Sequence, residues 1–196
     1  MPGLQRPSPR PIPGGLRDIP QLIARAAAER PAQEAMVGAR RRYSYAALLE
    51  AVEAGAAALH DLGVRAGDRV AASAPNQADI MLAFLAVQRL GAVWVGVSRQ
   101  LATPEAEFQL KDCGASLFMG DAAALERLRA MAGGGAFLRR TIDMEPGDNE
   151  WLRLIEANRG RRAPDVDIDP LAPAATTRRP CWQCVDPLGR PVVPLV

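Results

Sequence analysis

The sequence predicts an α/β fold, a layered and mainly parallel sheet flanked by helices. Three observations predict it. Helix and strand signals alternate through residues 16–163 with short connections between them. The strand candidate at 92–97 is almost wholly apolar, as a strand covered on both faces requires. Proline is sparse there: five of the 17 prolines fall in residues 1–15, seven in residues 164–196 and five between. The chain therefore divides into a disordered Pro-rich leader (1–15), an α/β segment (16–163) and a Pro/Arg-rich irregular tail (164–196).

The elements follow in order. Asp18 caps the first helix, with Gln21 three residues on and Leu22, Ile23 and Ala26 on its apolar face. Pro31 ends it, and short strands at 34–37 and 41–43 follow. Ser44 caps a long helix in which Tyr45, Leu48, Leu49, Val52, Ala56, Leu59 and Leu62 recur at helical spacing; Gly63 closes it. Residues 69–73 read as a strand, and Asn76 caps a helix over 78–90 that ends at Gly91. After the strand at 92–97, Thr103-Pro104-Glu105 opens a helix with proline at its first position. That helix ends near Gly114, and a strand at 115–119 follows. Asp121 caps a helix over 122–131, glycines 133–135 form a turn, and 136–142 is the next strand. Asp148 caps a last helix to about Asn158.

Composition excludes several classes of function. The 196 residues can bury a core without disulfide or metal staples. A net charge of +2 does not argue for nucleic acid, and no apolar run reaches the length of a membrane span. The proline-rich start lacks an apolar signal region, and the three cysteines are odd in number and unevenly placed, so a cytoplasmic location is expected. Of 24 basic residues 23 are arginine and one is Lys111; His60 is the only histidine. A histidine triad thus has one candidate with no neighbourhood, and lysine chemistry would depend on Lys111.

Few motifs carry chemistry. A phosphate cradle needs a strand, a glycine-rich loop and a helix N-terminus in that order, and glycines 133–135 lie between a helix and a strand instead. The loop Ala74-Pro75-Asn76-Gln77 has the right order, with Asn76 read as a helix cap rather than a ligand contact. Cys181-Trp182-Gln183-Cys184 is half a zinc site without a second half, and it leads into turn residues rather than a helix. Arg40–Arg42 reads as a solvated strand edge and Arg159–Arg162 as the end of the last helix, where the dipole favours cations; neither carries interleaved aromatics. No catalytic residue and no metal ligand is assigned.

The middle of the chain resembles the N-terminal part of adenylate-forming (AMP-binding) enzymes, the acyl-CoA synthetase branch in particular. The resemblance is carried by Ile19-Pro-Gln-Leu-Ile-Ala-Arg-Ala-Ala-Ala-Glu-Arg-Pro31, Tyr43-Ser-Tyr-Ala-Ala-Leu-Leu49, Leu62-Gly-Val-Arg-Ala-Gly-Asp-Arg-Val70 and Ala74-Pro-Asn-Gln77. It is most specific at Ala83-Phe-Leu-Ala-Val-Gln-Arg-Leu-Gly-Ala-Val-Trp-Val95 and runs on through Leu110-Lys-Asp-Cys-Gly-Ala-Ser116. It covers residues 16–120 clearly and 121–173 loosely. The resemblance implies acid–thiol ligase chemistry of the kind used in fatty acid metabolism. In the intact family a small carboxylic acid and ATP, with Mg²⁺, give an acyl-adenylate, and coenzyme A then displaces AMP.

The family's phosphate loop, Gly-Thr-Thr-Gly-x-Pro-Lys-Gly, can be laid on Ala175 to Trp182. Thr176, Thr177 and Pro180 match. The glycines fall on Ala175, Arg178 and Trp182, and the lysine falls on Cys181. Glycine permits left-handed backbone and close approach to phosphate, and cysteine supplies no positive charge. Thr176 and Thr177 are therefore the only cofactor-binding candidates, as remnants of phosphate-contacting positions. The tail is expected to be a deletion with frameshift, or else a degraded loop in a specialised short protein. The expected function is a fragment of an AMP-dependent acyl-CoA ligase, inactive alone and needing no cofactor itself. The alternative is a non-catalytic binding module of the same fold. Expected partners are a carboxylic acid in the intact family, no nucleic acid, no transmembrane segment, and self-association through an exposed sheet edge.

Overall fold

The structure is a computed structural model that describes residues 18–168 and 174–176. The elements are α1 (Ile19–Glu29), β1 (Glu34–Val37), β2 (Arg42–Ser44), α2 (Tyr45–Asp61), β3 (Arg69–Ser73), α3 (Ala78–Arg89), β4 (Val93–Gly96), α4 (Thr103–Asp112), β5 (Leu117–Gly120), α5 (Ala122–Arg129), β6 (Arg140–Asp143), α6 (Glu150–Ala157) and β7 (Ala175–Thr176). The expected α/β class and the alternation of elements are both present. Strands β1 and β2 form an antiparallel hairpin, and the other five form one parallel sheet in the order β6-β5-β3-β4-β7.

The alternation of side chains along β3 builds three layers. Val70 and Ala72 face the helices that bury Leu59, Val87 and Trp151, from α2, α3 and α6. Ala71 faces the other way, onto Ala106 and Leu110 of α4 and Leu128 of α5. A third apolar cluster joins Leu48, Val52 and Leu82 to Ile19, Ile23 and Tyr43, which seats α1 and the hairpin on α2 and α3. Gly55, inside α2, lies where an added Cβ would come 2.8 Å from Cη2 of Trp151, so the glycine makes room for the ring.

Several caps form as the sequence predicts. Asp18 accepts from the Gln21 amide at 2.8 Å, Ser44 from Ala47 at 3.3 Å, and Asp121 from Ala124 at 2.8 Å. Glu105 reaches back to the Ala102 amide at 3.0 Å, which orders the start of α4.

Two caps and the start of β6 depart furthest from expectation, each for a physical reason. Asn76 does not cap α3: the extended backbone (φ −149°, ψ 171°) belongs to Gln77, whose amide donates instead to the Met144 carbonyl at 3.3 Å. Asp148 does not cap α6, because Gly147 turns the chain at φ +128° and the helix begins one residue later. Asn149 takes the cap. Its Oδ1 accepts from Leu152 at 2.9 Å, and its Nδ2 donates to Asp79 at 3.1 Å and to the Glu145 carbonyl at 2.9 Å. A carboxylate could not make the last two bonds. The strand expected at 136–142 begins only at Arg140, because Ala136 and Leu138 bond back to Gly133 and Gly135. The ladder starts where the Arg139 amide reaches the Ser116 carbonyl at 2.8 Å.

Asn149→Ala removes a cap and orphans buried acceptors, so we expect a loss of about 2 kcal/mol. Urea denaturation checks this; a loss below about 0.5 kcal/mol, the range of ordinary surface substitutions, would show that the cap is replaceable.

Candidate functional site

The carboxyl ends of β3, β4 and β5 share one edge of the sheet. In the first four strands, β4 lies on one side of β3 while β5 and β6 lie on the other, so the winding reverses across β3. Open α/β sheets bind ligands outside the carboxyl ends near such a reversal. Here the loop 74–77 leaves β3, residues 97–100 leave β4, and Asp121 follows β5.

Between the first two loops lies an open groove of about 630 Å³ lined by Ala74, Asn76, Ile80, Trp94, Ser98 and Arg99, among others. Its apolar wall is fixed: the Phe84 and Trp94 rings meet edge to face with centroids 5.9 Å apart. Its polar rim is fixed as well. Arg99 pairs with the buried Asp121 carboxylate at 2.9 Å, and Arg127 donates to the carbonyls of Arg99 and Leu101 at 3.2 and 2.7 Å. Asn76, displaced from the cap, lines this groove.

Three features test whether the described residues fit a nucleotide triphosphate. The first turn of α3 carries Asp79, 8% exposed. At α5, Asp121 takes the Ala124 amide and Glu145 takes the Ala122 amide at 2.8 Å. At α5 the amides that would hold phosphate are thus taken by carboxylates, and at α3 the Asp79 carboxylate repels it. The described residues do not fit a triphosphate cradle. Ser73, at the end of β3, adds a buried hydroxyl with no hydrogen-bond partner among the described residues.

The sequence candidates scatter. Thr176 lies in β7, paired in register with Val95 of β4, so the chain leaves that strand beside the groove. Thr177, Cys181 and Cys184 lie outside the described residues. His60 sits at the other end of the sheet, in the last turn of α2, with Nδ1 3.9 Å from Oδ1 of Asp61. A hydrogen bond from Arg161 holds the Asp61 carboxyl below the usual range. Lys111 pairs with Glu107 at 2.5 Å and lies 5.6 Å from the Phe137 ring centroid, on the outer face of α4. The Lys111 hydrogen bond lowers the Glu107 carboxyl. Burial pushes the Cys113 thiol up, which leaves it an inert core residue. Among the described residues no three His, Cys, Asp or Glu side chains converge on a metal position. Arg99 and Ser73 escape sequence reasoning, and Asp121 reads there only as a helix cap, because no short-range spacing joins the three.

The family model described as AMP-binding enzyme matches residues 23–178. The chain belongs to the AMP-binding enzyme family. The match runs past Thr176 and Thr177. A 7a-methyl-1,5-dioxo-octahydro-inden-4-yl propanoyl:CoA ligase of Mycobacterium tuberculosis is 31% identical over 158 residues, covering 74% of this chain and 30% of that protein. The 4-coumarate–CoA ligase 2 of Oryza sativa subsp. japonica is 30% identical over 166 residues, covering 76% and 29%. Among solved structures, apo MbtA of Mycobacterium smegmatis superposes with a TM-score of 0.71 at 26% identity, covering 81% of this chain and 30% of that one. A fatty acyl CoA synthetase of M. tuberculosis gives 0.67 at 25% identity, with 78% and 30% covered. The chain spans about 30% of the length of these relatives.

Proposed function

We propose that this chain is the N-terminal scaffold of an AMP-dependent acyl-CoA ligase and does not form an acyl-adenylate by itself. One observation carries the reading: carboxylates take the amides at the N-terminus of α5 at the sheet's functional edge, and a buried carboxylate, Asp79, sits in the first turn of α3. The residues from β7 onward add to it. Ala175, Arg178 and Trp182 stand where the family has glycines, and Cys181 stands where it has lysine. Thr176 and Thr177 keep the hydroxyls of a phosphate loop without its backbone freedom or its charge.

In a complete family member ATP and Mg²⁺ supply the activating phosphates and coenzyme A takes the acyl group. In this chain's part of the machine, Phe84 and Trp94 hold an apolar wall and Arg127 stiffens the rim. The substrate class that suits such a parent is a small carboxylic acid. We place the chain in the cytoplasm on its three cysteines, which are odd in number and unevenly placed; no described helix is long and apolar enough to cross a membrane. β7 ends one side of the described sheet as a two-residue strand, a place for self-association.

ATP–pyrophosphate exchange over a panel of aromatic and aliphatic carboxylic acids tests the reading. We expect no exchange above a protein-free control. Acid-dependent exchange by the purified 196-residue chain would overturn catalytic silence.

A further inference from the structure

We propose that Gln88 is a positioning residue that sets the register of β7 against β4, and so fixes where the strand ends beside β4. The proposal deepens the scaffold reading, since β7 carries the first two residues laid on the phosphate loop.

Strand β7 has little of its own to define a register. It is two residues long and pairs with β4 only at Trp94↔Ala175 and Val95↔Thr176. Register in a sheet is ordinarily set by which side chains must be buried. Ala174 and Ala175 are exposed, so apolar patterning cannot choose the pairing at this end of the strand. A slip by one residue would move the exit of the chain by about 3.3 Å.

Gln88 supplies the missing constraint. It lies in the last turn of α3, 6% exposed, and its Nε2 donates to the Ala174 carbonyl at 2.6 Å. The same carbonyl accepts the Trp94 amide at 3.1 Å. Its two lone pairs are thereby committed, one to β4 and one to α3. A glutamine needing only a partner could fold onto a carbonyl of its own helix. This one reaches a residue 86 positions away, at the point where β7 begins.

The next residue anchors the approach to that strand. Arg89, with its side chain 13% exposed, donates to Glu53 at 2.8 Å and to the carbonyls of Ala163 and Pro164 at 3.3 and 3.2 Å. Glu53 accepts the Ala163 amide at 3.1 Å. Between the anchors, Val166 and Ile168 ride over the turn at Gly91, each 3.5 Å from where a Cβ would stand. The end of α3 thus holds the returning chain at two places, through adjacent side chains with separate tasks.

Amide exchange in the full chain tests this directly, because the Trp94 amide bonds to Ala174 while the Val97 amide bonds to Ala72 in β3. Gln88→Leu keeps the volume and removes the donor. Exchange at Trp94 should rise about tenfold with Val97 unchanged. Unchanged protection at Trp94 in a folded Gln88→Leu protein overturns the proposal. Gln88→Glu gives a second arm that a packing role would not reproduce. At neutral pH its carboxylate faces the Ala174 carbonyl; once protonated it donates again. The excess exchange at Trp94 over wild type at the same pH should therefore vanish on acidification, and an excess that persists in the protonated variant overturns the donor role. Neither arm uses ATP or an acid substrate. A negative result leaves the scaffold reading intact, and pyrophosphate exchange by the chain would leave this proposal intact.

Discussion

Trp151→Ala is expected to lower the unfolding free energy by about 3–5 kcal/mol, the range for deleting a buried large aromatic. Trp151 is fully buried and is the main contact between α6 and α2 through the notch at Gly55. Its Nε1 also donates to the Asp79 carbonyl at 3.2 Å, which the alanine leaves without that donor. The contact can be isolated with Gly55→Ala. A helical glycine-to-alanine change gains roughly 0.5–1 kcal/mol when nothing obstructs it. Here the new Cβ meets the ring at 2.8 Å and Ala86 Cβ at 3.4 Å, so overpacking costing about 1–3 kcal/mol reverses the sign. In the Trp151→Ala background the obstruction is gone, and Gly55→Ala should stabilise. Urea melts of the four proteins give the coupling; additive effects would sink this account of the notch.

Arg89→Met carries the second large effect, a loss of about 3 kcal/mol. Methionine keeps much of the volume but leaves Glu53, 16% exposed at its side chain, without its cation. It also strips donors from the carbonyls of Ala163 and Pro164. Breaking one partner of a buried, multiply bonded pair costs more than the pair contributes, because the other charge stays behind. The exposed pair Arg25–Glu29 on α1 is the control, since solvent screens it and its removal should be nearly silent. Trypsin adds a local reading. Cleavage after Arg159, Arg161 or Arg162 should accelerate in Arg89→Met even under conditions where the core stays folded. A protein as stable as wild type and cut at the same rate would show that the returning chain is held by other contacts.

The order of elements was legible because it rests on local chemistry. Apolar spacing marked α2, and Ser44, Asp18 and Asp121 announced helix starts that depend on one side chain and an amide three residues away. The errors came where a distant partner chose between neighbours. Asn149 displaced Asp148 because Asp79, 70 residues upstream, needs a donor. Gln77 displaced Asn76 at a cap without a side-chain bond, where the long amide turned to Met144 instead. The site was less legible for the same reason. Nothing near Arg99 in the sequence announces Asp121, and nothing near Gln88 announces Ala174. The resemblance to a family located the region but could not say that carboxylates take the amides at the start of α5.

The strand order also has a meaning in time. The first strand of the large sheet to be synthesised, β3, becomes interior to it, flanked by β4 and β5. Each early addition finds its neighbour already made, and β6 joins β5 as soon as it emerges. β7 alone returns across the molecule, to a partner translated about 80 residues earlier. Chains emerge at roughly 5–20 residues per second. The outer edge of β4 therefore waits several seconds with unpaired amides before its neighbour exists. For that interval the nascent chain carries an adhesive edge, and Ala175 and Thr176 are the residues that quench it.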